Sequence, residues 1–374
     1  MLTVPRLSVL SESLPYWSSR ISPSDAAAPG EVPRPVHNVV MKVRVLPSGR
    51  EFDSHGDEPV LGAALRQHLN LPHSCKGGSC GTCRVRLLSG RIAYPHGRPP
   101  GLSAAEETDG YALICQARAV EDLVIETREI RYVTDVETRC LPARIERMCR
   151  LAPDVMGLWL RLPAVEPFTW QCGQYVDILL PGEHRRSFSL ANPPHDPALL
   201  ELHVRRVPGG AFSEQVFTTL KEGSLLRIEG PLGQFIYRPG ERPLLLIGGG
   251  TGYAPLKAMI RQVLENEARR DATLFWGART AADLYEDEWL RGLAATHARF
   301  RYLSVLSEQA ATAPHESGLV HEAAVRRIAG LAGFDIYAAG PPAMIDAVRA
   351  ALPLQGADPD RIRFDSFDYA PSWS

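Results

Sequence analysis

Four cysteines restrict the architecture of this chain more than any other feature. Cys75-Lys76-Gly77-Gly78-Ser79-Cys80-Gly81-Thr82-Cys83 reads C-x4-C-x2-C, and Cys115 follows after a long gap. A run this short that turns several thiols inward must wrap a compact body, and bulky side chains would collide with that body. Gly77, Gly78 and Gly81 permit close backbone approach and unusual dihedrals. Their amides, with that of Ser79, can point at sulfur. A disulfide framework suits a short secreted chain, which a 374-residue sequence is not. Zinc sites usually pair C-x2-C with a second such pair or with histidines, and none lies near Cys115; zinc stands as the alternative. The spacing is that of four thiolates holding two irons in a [2Fe–2S] cluster. On this reading Cys75, Cys80, Cys83 and Cys115 are the ligands, and the chain handles electrons singly.

The length predicts two or three domains. Hydrophobic content of 45% and charge of 22% are those of a soluble globular protein. A net charge of −2 argues against general binding to nucleic acid or to a membrane surface. No apolar run approaches a membrane span, and residues 1–20 lack a signal-peptide core. Cys140, Cys149 and Cys172 read as free thiols, so a reducing cytoplasm is expected. Residues 1–37, rich in Ser, Pro and Ala without periodicity, are expected to be a poorly ordered extension.

Three modules follow. Residues 38–131 carry a strand at Val39–Val45, helical spacing over Val60–Leu69, the cysteine loop and a strand at Arg84–Leu88. Ser103 reads as a helix N-cap, and Leu123–Glu126 as a last strand. A short polar linker is expected around Tyr132–Thr138. Residues 138–239 hold short strands at 143–148, 157–162, 175–180, 186–190, 200–205 and 224–229, the pattern of a small antiparallel barrel. Two motifs sit among them: Arg186-Ser187-Phe188-Ser189, and Gly209-Gly210-Ala211-Phe212-Ser213. Residues 240–374 open with the apolar strand Leu244–Ile247, then Gly248-Gly249-Gly250-Thr251-Gly252-Tyr253-Ala254-Pro255, and a helix over Pro255–Glu267. Strand, glycine loop and helix N-terminus make a dinucleotide pyrophosphate site. Strands at 273–276, 300–305 and 335–339 lead to Gly340-Pro341-Pro342-Ala343-Met344.

The first module resembles a plant-type ferredoxin, which implies a β-grasp α+β fold. The second and third resemble the flavin barrel and the α/β parallel-sheet nicotinamide domain of the ferredoxin–NAD(P)H reductase superfamily. The resemblance implies FAD held by Arg186, Phe188, Ser189, Arg205, Gly209, Gly210, Phe212 and Ser213. Phe188 would stack on the isoalloxazine, Ser189 would face N5, and Arg186 would pair with phosphate. NADH, with NADPH as the alternative, would be held by Gly249, Gly250, Thr251, Gly252, Arg279, Gly340, Pro341 and Pro342. Ala339 stands where relatives often have Cys, so no thiol role is expected there. Arg363–Phe367 resembles the closing strand whose aromatic and acidic residues approach the flavin.

The order of modules resembles the reductase component of multicomponent oxygenases, and also the reductases serving CDP-deoxysugar dehydration. Electrons would run from NAD(P)H through flavin and [2Fe–2S] to an oxygenase or other terminal redox enzyme. The flavin converts a two-electron donor into single electrons. A monomer is expected. A redox sensor without turnover is the reading from a different class, and Ala339 is the one feature that leans towards it.

Overall fold

Alternation in Val40–Leu46 (β1) buries Met41, Val43 and Val45 on one face and turns Lys42 and Arg44 outward. The computed structural model describes residues 40–67, 69, 71–73, 76–79, 81–127, 138–164, 168–267, 269–310 and 313–367. The expected extension at 1–37, the ligands Cys75 and Cys80, and the linker over 132–137 lie outside the described residues.

β1 is followed by Arg50–His55 (β2), Val60–Arg66 (α1), Arg84–Ser89 (β3) and Ile92–Ala93 (β4). Then come Ala104–Thr108 (α2), Tyr111–Leu113 (β5), Arg118–Ala119 (β6) and Leu123–Glu126 (β7). The sheet order is β2-β1-β7-β3-β5, with β1 and β7 parallel. Val43, Phe52, Leu61, Ala64 and Ile125 pack one core beneath it. Burying each of the larger side chains contributes about 1.5–3 kcal/mol. Ser103 caps α2 through a full capping box with Glu106. α1 stops at Arg66, short of the expected Leu69. The amides of Gln67 and Leu69 both turn back to the Ala64 carbonyl, and the Gln67 side chain clasps the Asp53 backbone on β2. These contacts redirect the groups that would have carried the helix on.

The second module contains Arg139–Ala152 (β8), Val155–Arg161 (β9), Tyr175–Leu179 (β10), Arg185–Ser189 (β11), Leu200–Arg205 (β12), Ala211–Thr218 (α3) and Leu225–Leu232 (β13). Its antiparallel sheet runs β11-β10-β13-β8-β9-β12, and a Leu190–Leu202 bridge brings the two edges together as a barrel. β8 is much longer than the expected 143–148. Irregularities near Glu146 and Leu151 bend it, so that one strand serves both β13 and β9.

The third module contains Leu244–Gly249 (β14), Tyr253–Asn266 (α4), Ala272–Ala278 (β15), Asp287–Thr296 (α5), Phe300–Leu306 (β16) and Glu316–Ser317 (β17). Val320–Arg327 (α6), Asp335–Gly340 (β18), Pro342–Ala351 (α7) and Ile362–Ser366 (β19) complete it. Every pairing in its sheet, β17-β16-β15-β14-β18-β19, is parallel. β14 and β18 are buried along their whole length, as a sheet covered on both faces requires. α4 covers one face with Leu256, Met259 and Ile260; α6 and α7 cover the other with Ala323, Ile345 and Val348. The chain leaves β14 in one direction to β15 and returns on its other side as β18. That reversal opens a crevice at the carboxyl ends of the two strands.

Candidate functional site

The cysteine loop closes against the first sheet. Cys83 directly precedes β3 and Cys115 follows β5. The pairing of these strands sets the two cysteines side by side, with the Ile114 amide bonded to the Cys83 carbonyl. Both cysteines are buried. The loop is wound by positive φ at Lys76, Gly78 and Gly81. Gly101 donates to the Gly78 carbonyl at 2.8 Å. A Cβ on Gly101 would stand 2.6 Å from the carbonyl oxygens of both Gly78 and Ser79. Gln116 Nε2 donates to the Lys76 carbonyl at 2.8 Å. Two buried thiols beside a glycine-wound loop fit an iron–sulfur cluster.

Residues that sequence reasoning passed over hold this loop from outside. His73 Nδ1 donates to the Leu71 carbonyl at 2.7 Å, so Nε2 accepts from the Tyr175 hydroxyl at 2.8 Å. Burial, then the nearby Lys76 charge, push the His73 pKa down to about 4. Lys76 Nζ lies 2.8 Å from the buried Asp177 carboxylate and 5.0 Å from the Tyr175 ring centre. Burial would raise the Asp177 pKa, but Lys76, the Ser187 hydroxyl at 2.5 Å and Arg185 hold it below its ordinary value. From the third module, Arg349 Nη2 donates to the Ser79 carbonyl at 3.0 Å.

The expected flavin residues fall into two groups. On β11, Phe188 is half-buried with its ring 5.3 Å from Phe212, which fills the barrel core behind it. Ser189 is buried, and its hydroxyl donates to Asp365 Oδ2 at 3.4 Å. Arg186 is half-buried on the same face of β11 as Phe188, and its Nη1 donates to the Arg185 carbonyl at 2.8 Å. Gly209 has a φ of 74° with open space around it, and Gly210 precedes the first turn of α3. The Ser213 hydroxyl is spent within this turn, on Val207 and Gly210; its amide is the group left to face a ligand. An apolar face on β11 beside a helix N-terminus fits a flavin and its phosphates.

Arg205 lies elsewhere. Glu201, His203 and Arg205 share one face of β12 and reach towards the third module. A Cβ on Gly250 would stand 3.1 Å from Arg205 Nη1. Arg205 lies 3.4 Å from Asp154, yet its buried Nε and Nη2 make no hydrogen bond among the described residues. Glu201 meets Lys257 at 2.8 Å and His203 at 3.0 Å, and Lys257 meets Glu286 at 2.6 Å. Lys257 supplies the cation among these carboxylates, so the cluster needs no metal.

The glycine loop after β14 packs directly on the segment after β18. A Cβ at Gly252 would run into the Ala339 carbonyl, and one at Gly249 would lie 2.6 Å from Met344 sulfur and 3.0 Å from Pro341. Gly340 is equally tight against Met344 and Gly249. Gly250 has a φ of 53°, and Trp276 Nε1 holds its carbonyl at 2.9 Å. Gly249 to Gly252 and Gly340 to Pro342 thus line the crevice together. With the unbonded Arg205 nitrogens beside it, this cradle fits an anionic dinucleotide. Arg279 is exposed and faces Asp154 at 3.5 Å and Asp283 at 3.9 Å.

Three family models match the chain in series. The 2Fe-2S iron-sulfur cluster binding domain covers residues 43–120, the oxidoreductase FAD-binding domain 142–237 and the oxidoreductase NAD-binding domain 246–350. The chain is 33% identical over 330 residues to the CDP-6-deoxy-L-threo-D-glycero-4-hexulose-3-dehydrase reductase of Yersinia pestis, covering 87% of this chain and 98% of that protein. It is 37% identical over 327 residues to the reductase component of phenol 2-monooxygenase from Pseudomonas, covering 84% and 90%. The crystal structure of the Amycolatopsis cytochrome P450 reductase GcoB superposes with a TM-score of 0.73 at 35% identity, covering 87% and 98%. No helix among the described residues is long and apolar enough to cross a membrane.

Proposed function

The chain belongs to the ferredoxin–NAD(P)H reductase superfamily as an iron–sulfur flavoprotein reductase, and we propose that it delivers electrons from NADH to a partner oxygenase. The observation that carries the reading is the position of β11. Ser189 on this strand touches Asp365 of the third module, while its neighbour β10 holds the cysteine loop through Tyr175 and Asp177. The paired strands β10 and β11 therefore adjoin the cluster side and the nicotinamide side respectively. When bound, the flavin supplies the conversion of a hydride donor's electron pair into the single electrons a [2Fe–2S] cluster can pass on.

The residues divide the work. Cys75, Cys80, Cys83 and Cys115 hold the cluster. Phe188 offers its ring and Ser189 its hydroxyl to the isoalloxazine, while Arg186, Gly209, Gly210 and the amides of Phe212 and Ser213 hold the flavin phosphates. Gly249 to Gly252 and Gly340 to Pro342 seat the dinucleotide, and the Arg205 guanidinium, beside Gly250, goes to its pyrophosphate. NADH is favoured because Arg279, the cation beside β15, already faces Asp154 and Asp283. A 2′-phosphate would meet carboxylates as well as one shared charge. All three modules lie in one compact unit, so one chain carries the whole proposed route, and the reductase acts as a monomer. Its exposed thiols Cys140 and Cys149 suit the cytoplasm.

The Pseudomonas relative serves a monooxygenase, which supports an oxygenase partner; the Yersinia relative supports a CDP-deoxysugar dehydrase as the second reading. Reconstitution decides between them. NADH consumption should couple to substrate oxidation with a purified oxygenase and not to sugar dehydration. A holoprotein with full iron and flavin that NADH does not bleach would overturn both.

A further inference from the structure

The cysteine loop is gripped on two sides by modules to which it does not belong. On one side are Tyr175 and Asp177 of β10. On the other is Arg349, two turns into α7, whose Nη2 donates to the Ser79 carbonyl across 270 residues of sequence. Gly81 makes that approach feasible: a Cβ there would stand 3.3 Å from Arg349 Nη1. The same guanidinium lies 4.9 Å from the centre of the Phe364 ring on β19. The residue after Phe364 is Asp365, which receives the Ser189 hydroxyl. A line of contacts thus runs from Ser79 through Arg349 and Phe364 to β11.

We propose that Arg349 is a positioning residue that docks the cysteine loop onto the closing strand β19, and through it onto the flavin strand β11. The proposal rests on the electron route above and adds the device that holds the cysteine loop against the flavin side of that route. Arginine suits the place because its planar fork can donate to a carbonyl while its face lies over an aromatic ring. A lysine would keep the charge and one donor and lose the stacking geometry. No bond forms or breaks at Arg349, and it carries no proton. It sets a distance, and small errors of placement are costly in rate. Lys76 and Asp177 brace the loop at its other end, so the arrangement constrains both position and tilt.

The test compares the holoenzyme with its Arg349→Ala and Arg349→Lys variants by two measurements. Amide hydrogen exchange over residues 76–83 reports docking without turnover. Arg349→Ala should raise it on the order of tenfold, the loss of one charge-assisted hydrogen bond. Stopped-flow mixing with NADH separates flavin bleaching from cluster bleaching. Arg349→Ala should leave the flavin phase unchanged and slow the cluster phase by about 10- to 100-fold. Arg349→Lys should fall between, and it carries the test alone if the alanine variant does not load its cofactors. Variants with wild-type exchange and wild-type cluster reduction would overturn the proposal. A wild-type enzyme that NADH does not reduce at all would instead overturn the electron route, with docking still decided by exchange.

Discussion

Ser189 Oγ donates to Asp365 Oδ2 at 3.4 Å, joining the last residue of β11 to β19 across 176 positions of sequence. Both residues are buried, so the contact forms where the barrel and the parallel sheet meet. A hydroxyl held by a carboxylate has its oxygen lone pairs and its orientation defined. Ser189→Ala should therefore retain FAD and slow bleaching of the flavin by NADH about tenfold, the equivalent of one net hydrogen bond of roughly 1.4 kcal/mol. Stopped-flow absorbance checks this. An unchanged rate would remove Ser189 from the site.

Cys83 and Cys115 sit side by side at the ends of paired strands, and both are packed into the first core. Serine at either position replaces a soft ligand with a hard one. Cys83→Ser and Cys115→Ser should lose iron and the cluster's visible absorbance while the separate barrel keeps its flavin. Reduction of ferricyanide by NADH should survive and reduction of cytochrome c should fall sharply. Iron analysis beside the two assays decides it. A variant with full iron would overturn the ligand assignment.

How much of this was legible beforehand depended on range along the chain. The C-x4-C-x2-C run, the Ser103 cap and the glycine loop after β14 are local patterns, and each lies within about a dozen residues. Lys76 with Asp177, or Arg349 with Ser79, were not legible, because packing between modules brings them together from 101 and 270 residues apart. Arg205 is a subtler case. The family resemblance implied a part in holding FAD. Alternation along β12 places it on the face of Glu201 and His203, and its guanidinium lies beside Gly250 of the nucleotide module, a neighbour that its position in the sequence does not reveal. The length of β8 was hidden for a similar reason: its bulges break the period that marks a strand.

Gly252 lies against the Ala339 backbone with no room for a methyl group. The atoms it would meet cannot yield cheaply, because Ala339 and Gly340 are main chain at the end of the buried strand β18. Gly252→Ala should force the glycine loop away from the segment after β18. The expected result is a KM for NADH raised tenfold or more, on the order of the effects small misplacements produce, with flavin and cluster absorbance intact. Steady-state kinetics read it directly. A wild-type KM would show that the two loops do not share the ligand.

Cys172 is buried with its thiol donating towards the Ala258 carbonyl at 3.4 Å, while Cys140 and Cys149 are exposed. Burial pushes the Cys172 pKa up to about 12, and a thiol that stays protonated is a poor nucleophile. Brief treatment of the native protein with iodoacetamide at mildly alkaline pH should modify Cys140 and Cys149 and spare Cys172 until the protein is unfolded. Peptide mass spectrometry gives the answer. Early labelling of Cys172 would mean that the packing between barrel and α4 opens readily.

The Glu201–Lys257–Glu286 cluster makes stability depend on acid. Burial alone would raise the Glu201 pKa, but the hydrogen bonds and charges of His203 and Lys257 reverse that and bring it down to about 2. A carboxyl with a depressed folded pKa stabilises above its ordinary value of 4.5, and loses that contribution as pH falls towards 2. The shift corresponds to a loss on the order of 3 kcal/mol across this window. Glu201→Gln lacks that titration, so its urea midpoint should fall less than the wild type's between about pH 5 and pH 3. Lys257→Met removes the shared cation and leaves two carboxylates facing each other, which should destabilise by about 3–5 kcal/mol. Adding Glu201→Gln to Lys257→Met relieves the repulsion, so the double variant should be more stable than the sum of the single losses predicts. Strict additivity in that cycle would mean that Lys257 does not couple the barrel strand to α4.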